Sequence, residues 1–154
     1  MRVPYTRVLE LEPTLAVTAG AYTANDVIGG LIKMDIQSAG GWCAINSVEA
    51  TDDAASISSL TFRFFNAAPT TIADNAAFAP AIADLKKLVG KVTMTSFDTL
   101  NGNLWGQAEP ITTNKLIDIS ASNALWMYIV ATAAPTFAAT TDLFVRVTVL
   151  VEGN

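Results

Sequence analysis

The chain has no histidine, and with it goes the side chain that most often serves as a general base or transition-metal ligand near neutral pH. A Ser–His or Cys–His nucleophile pair is therefore excluded. A single cysteine, Cys43, rules out an internal disulfide, cannot alone form a thiolate metal site, and reads as a small buried residue. Charge is also sparse: nine basic and fourteen acidic residues among 154 leave a net charge of −5. The basic residues stand singly apart from Lys86-Lys87, so there is no footprint for a phosphate backbone, and nucleic acid is not an expected partner. The longest apolar runs, such as Leu125 to Ala134, fall well short of the roughly 20 residues a bilayer span needs, so no membrane segment is expected. Met1 to Arg7 lacks the apolar core of a signal peptide, which makes synthesis in a cytoplasm the expectation. No Gly-x-Ser-x-Gly elbow, Walker loop, dinucleotide fingerprint or EF-hand loop occurs, and no cofactor is expected.

What is present is apolar: 51% of residues are hydrophobic. The length suits one domain, residues 1–154, with a short N-terminal arm over about residues 1–7. Leu60, Phe62 and Phe64 alternate with Thr61 and Arg63, the period-2 signature of a core strand that Asn66 and Pro69 then break. Thr6 to Glu12 alternates Leu9 and Leu11 against Glu10 and Glu12, and Pro13 ends it or marks an edge. Asp26 to Ile36 places Ile28, Ile32, Met34 and Ile36 on one face, with Gly29-Gly30 suggesting a bulge. The Ser38 to Gly41 turn signal predicts that this strand forms a hairpin with Trp42 to Ala50. In the second half, Lys91 to Phe97, Lys115 to Ser120, Leu125 to Ala131 and Asp142 to Val151 read as strands. The unbroken apolar run at Leu125 predicts a central strand covered on both faces, and Leu143, Val145, Val147, Val149 and Val151 share one face of the last.

One helix is predicted over Pro80 to Val89, from the helical spacing of Ile82, Leu85, Leu88 and Val89, with Gly90 at its C′ position and Lys86 and Lys87 in its solvated last turn. Strands at this spacing with one short helix predict an all-β fold: an antiparallel β-sandwich of jelly-roll or Greek-key form. Strand order does not follow from the pattern.

Paired carboxylates remain for glycoside chemistry, at Asp52-Asp53 and at Glu10 with Glu12. The first pair reads as a turn whose side chains point apart, the second as the solvent side of a strand. Asp74-Asn75 offers oxygen ligands for a hard cation, but reads first as a turn or a helix cap. No catalytic or metal residue is assigned. Of the tryptophans, Trp126 falls in the buried run, Trp42 starts a strand, and Trp105 reads as an exposed loop residue. They are candidates for core packing, for a subunit interface, or for a sugar-stacking surface.

The pattern Tyr22…Asp26-Val27-Ile28-Gly29-Gly30, Leu60-Thr61-Phe62-Arg63-Phe64-Phe65-Asn66…Pro69…Asp74-Asn75-Ala76-Ala77-Phe78, Leu88-Val89-Gly90 and Thr141-Asp142-Leu143-Phe144-Val145 resembles small virion proteins of tailed bacteriophages, encoded beside the major capsid protein. The resemblance runs through most of the chain from Tyr22 onward. It implies a non-enzymatic β-sandwich decoration, or cement, protein on the outer capsid surface, bound to the major capsid protein and often a trimer. It brings no catalytic or ligand residues. Candidate contacts with the capsid or a neighbouring copy are Arg2, Tyr5 and Arg7 in the arm, and Trp42 and Trp105. The high apolar content also favours self-association, through the Trp42 and Trp105 regions or the Ala/Thr-rich loop at Ala131 to Thr141. A carbohydrate- or receptor-binding sandwich of a fibre or baseplate is the alternative.

Overall fold

Strict alternation in the last strand sets up the core: Leu143, Val145, Val147, Val149 and Val151 all point inward and are buried. The computed structural model describes residues 6–110 and 115–152. In chain order its strands are β1 (Thr6–Leu11), β2 (Gly20–Ala21), β3 (Val27–Asp35), β4 (Trp42–Asp52), β5 (Leu60–Phe65), β6 (Leu88–Met94), β7 (Asp98–Leu100), β8 (Asn103–Ala108), β9 (Ile117–Asp118), β10 (Ala124–Ala131), β11 (Thr136–Phe137) and β12 (Leu143–Glu152), with a single turn of helix, α1 (Ile82–Leu85), before β6.

Two antiparallel sheets face each other. One runs β1-β12-β4-β8-β7 with β9 paired to β4, and the other runs β3-β10-β5-β6; β2 and β11 form a separate small pair. Apart from short additions, each sheet has four main strands, and the chain crosses between sheets at nearly every connection. That is the jelly-roll order, so the chain is an all-β antiparallel sandwich of the expected class. Inward residues of both sheets merge into one core, with Phe62, Phe64, Leu60, Leu125, Met127 and Ile129 opposite Val145, Val147 and Val149. As expected, β10 lies centrally between β3 and β5. Its other face carries Tyr128 and Val130 in a second cluster with Val27 and Phe65.

Three local expectations are corrected. The strands expected to form a hairpin, β3 and β4, lie in different sheets. The turn, in which the Gly41 N–H reaches the Ser38 carbonyl at 3.4 Å, carries the chain across the sandwich instead. A glycine-rich reversal fixes a change of direction, not the sheet that receives the next strand. The helix over residues 80–89 shrinks to α1, whose Ile82 and Leu85 are 80% and 49% exposed, while Leu88, Val89 and Gly90 are taken into β6 opposite β5. The helical spacing of those apolar residues was a coincidence of a turn running into a strand. The inward-facing helix residue is Asp84, 2% exposed. Trp105, expected in a loop, lies in β8.

The bulge expected at Gly29-Gly30 is present. Both residues have positive φ, 78° and 69°, and the β3–β10 register shifts between Met127 and Ile129. The extra residues return Ile28 to the core face shared by Ile32 and Met34.

Candidate docking face

The two sheets differ in what lies on their outer sides. Outside β3-β10-β5-β6, the segment between β5 and α1 is strapped down. The Tyr128 hydroxyl donates to the Thr70 carbonyl at 2.7 Å and accepts from the Ile72 N–H at 2.9 Å. Phe78 packs edge-on to Tyr128 at 5.6 Å and lies under the Arg63 guanidinium at 5.5 Å. Asp84 accepts from the Thr70 N–H at 3.0 Å and from the Lys87 ammonium at 2.9 Å. Lys87, foremost, and then Thr70 hold its carboxyl below the usual carboxylate range. Asp74 is a second fastening, accepting from Tyr22 Oη at 2.8 Å, the Thr18 N–H at 3.0 Å and the Gly29 N–H at 2.5 Å. Burial first, and the Asp74 hydrogen bond second, raise the Tyr22 phenol far above its ordinary value. Asp74, weighed above as a cation ligand, thus uses its oxygens on the chain's own donors.

No described segment covers the outer side of the other sheet. Register places its residues in rows. Phe144, Thr51, Trp105 and Asp98 lie across β12, β4, β8 and β7. Arg146, Glu49 and Gln107 form the next row, and Val8 opposes Leu150. At the far end Trp42 pairs with Asp118, and its indole N–H donates to Glu152 at 3.1 Å. Val8 is 57% and Phe144 40% exposed, and Trp42, Trp105 and Leu150 are half-buried. Arg146 bridges β1 to β4, donating to Glu12 at 2.7 Å and to Glu49 at 3.2 Å. The Glu12 hydrogen bond is the main reason its pKa rises.

The structure therefore brings Trp42 and Trp105 onto one face, but not together. Trp105 stands opposite Thr51, nine residues along β4 from Trp42, which at strand rise is about 30 Å. Arg7 lies at the end of the sandwich rather than on this face, its guanidinium donating to the Gln37 carbonyl at 3.0 Å; Arg2 and Tyr5 lie outside the described residues. Trp126, read as buried, is half-buried on the strapped side. Phe144 and Leu150 escaped the sequence reading. Their signal was two apolar residues at outward positions of a strand whose inward positions were already filled.

The carboxylates have structural or solvent roles. Asp52 is fully buried and accepts from the Ala54, Ser56 and Ile57 N–H groups at 2.9, 2.6 and 2.8 Å, which closes the turn after β4. Asp53 is exposed, and Asp118 is held below its usual range by the Ser120 hydroxyl and N–H. Among the described residues, no group of three His, Cys, Asp or Glu side chains is placed to hold a metal. Cys43 is fully buried, and burial pushes its thiol up to about 12. A cavity of about 320 Å³ opens beside β6, with Ile45, Val89 and Ile117 in its wall and Lys91 and Lys115 at its rim. Lys115 is tied to the Val89 carbonyl at 2.9 Å, and residues 111–114, between Pro110 and Lys115 of the lining, lie outside the described residues.

No family model matches the chain, and no curated protein does. Among solved structures, the PRD1 vertex protein P5 aligns over 95% of this chain and 96% of its own, at 12% identity and a TM-score of 0.36. A picornavirus capsid chain, from an expanded equine rhinitis A virus particle, aligns over 94% of this chain and 72% of its own, at 11% identity and a TM-score of 0.33. A chain of deformed wing virus aligns over 98% of this chain and 46% of its own, at 8% identity and a TM-score of 0.30.

Proposed function

We propose that this protein is a structural component of a virus particle that docks on the outer surface of the capsid and stabilises the shell by bridging neighbouring capsomers. The observation that carries the reading is the bare outer side of the six-stranded sheet. It is a broad, stiff surface with half-buried Trp42, Trp105 and Leu150 and exposed Phe144 and Val8, left uncovered by every described segment. Apolar side chains set among polar ones on a rigid sheet are what a non-obligate assembly contact requires. Repetition over a symmetric shell multiplies a modest contact into a large total. The resemblance of the sequence to phage decoration proteins points the same way and suggests the major capsid protein as partner, with a trimer as the oligomer.

The roughly 30 Å between Trp42 and Trp105 argues against the alternative of a sugar-stacking platform, because one glycan ring cannot bridge them. Quantitative mass spectrometry of density-purified particles from the source culture, scaled to the major capsid protein, tests the proposal. Copies in the hundreds are expected. A few copies would move the protein to a fibre or baseplate, and absence would remove it from the particle.

A further inference from the structure

The bare face is not electrically neutral. Among the described residues, outward register or direct bonding places six carboxylates on it, Glu10, Glu12, Glu49, Asp98, Asp118 and Glu152, against one guanidinium, Arg146. Among those residues the face thus carries a clear excess of negative charge. Arg146 offers a partner little, being already shared between Glu12 and Glu49. Glu10 and Asp98 sit at opposite edges of the sheet, both exposed, with Phe144, Trp105 and Leu150 on the strands between them.

We infer that the surface this face docks on is basic: a protein surface with lysines or arginines where it meets the β1 and β7 edges, and with apolar side chains against the rows that hold Phe144 with Trp105 and Val8 with Leu150. This rests on the docking role proposed above and names the chemistry of the partner. Apolar side chains with carboxylates at both sheet edges match an interface in which buried apolar contacts set the lifetime and the charges set encounter and selectivity. The same charge count excludes two other occupants. A second copy of the same face would set like charges against like across a two-fold axis, and nucleic acid would be repelled. Any homo-oligomer then forms through other surfaces.

The test is re-addition of the purified protein to source particles stripped of it, measuring retained protein against free concentration from about 50 mM to about 300 mM NaCl, where screening shortens well below the width of the face. The apparent Kd is expected to rise about tenfold or more across that range. Glu10→Lys with Asp98→Lys, at exposed positions that make no ion pair among the described residues, should weaken binding about tenfold at low salt and flatten the salt dependence. Lys86→Glu with Lys91→Glu, away from the face, should leave it within about twofold. Salt-independent binding, or tighter binding by the lysine variant, would overturn the basic partner while leaving docking intact. No retention at any salt would overturn docking itself, and the inference with it. A dimer of the isolated protein that Phe144→Asp dissolves would show that the occupant is a second copy.

Discussion

The two outer faces of this sandwich show how one chain treats equivalent surfaces differently. Outside β3-β10-β5-β6, the segment between β5 and α1, with α1 itself, covers an aromatic cluster, and each contact is directional: Tyr128 to Thr70 and Ile72, Asp84 to Thr70, Phe78 to Tyr128. Outside the larger sheet, Trp105, Phe144 and Leu150 have no such cover among the described residues, and the polar residues between them bond mainly to one another. That contrast is what the proposed docking role would explain. The difference also predicts where stability resides.

Removing a ring from the covered side should therefore cost most. Phe65→Ala, from a fully buried ring packed against Tyr128 at 5.9 Å, should lower the unfolding free energy by about 3–5 kcal/mol in urea denaturation. Trp105→Ala on the bare face should cost less than half of that; equal losses would mean that the bare face is a core surface after all. Next in size is the strap itself. Tyr128→Phe keeps the ring but orphans the Ile72 N–H and Thr70 carbonyl, a loss of about 1–3 kcal/mol, and amide exchange over residues 70–78 should quicken while that of β12 does not.

The covered side should also be acid-sensitive. Lys87 and Thr70 depress the Asp84 carboxyl below its ordinary value of 3.8. A depressed folded-state pKa contributes stability that is fully present above 3.8 and is lost as pH falls through the lower folded value. Thermal midpoints should thus begin to fall near pH 4, and Asp84→Asn should blunt that fall. The smallest effect belongs to the bare face: Glu49→Gln, which leaves Arg146 with Glu12, should change stability by less than about 0.5 kcal/mol, because that pair is a partly exposed one.

How far the residues announced this follows from which rules each segment obeys. β12 and β10 were legible because period-2 alternation and an unbroken apolar run are consequences of burial on one face and on two. β8 was hidden because its inward positions are Leu104, Gly106 and Ala108, and small residues erase the alternation. A Cβ on Gly106 would stand 2.7 Å from both Met94 Sδ and Phe97 Cδ1, so side chains from the end of β6 in the facing sheet and from the connection after it occupy the space a side chain would fill. The hairpin expected across Gly40-Gly41 failed because sheet membership is decided by β10 and β12, strands near the far end of the chain. Trp42 and Trp105 were visible as residues, but their placement on one face, and the excess of carboxylates there, needed the cross-strand register.

Hydroxyl-radical footprinting of the free protein and of source particles tests the central claim most directly, since it reads solvent access to individual rings. If the bare face docks, oxidation of Trp42, Trp105 and Phe144 should fall several-fold on the particle while Phe78 and Tyr128 keep the rates of the free protein. Unchanged oxidation of those three, or protection of the strapped side in their place, would contradict it.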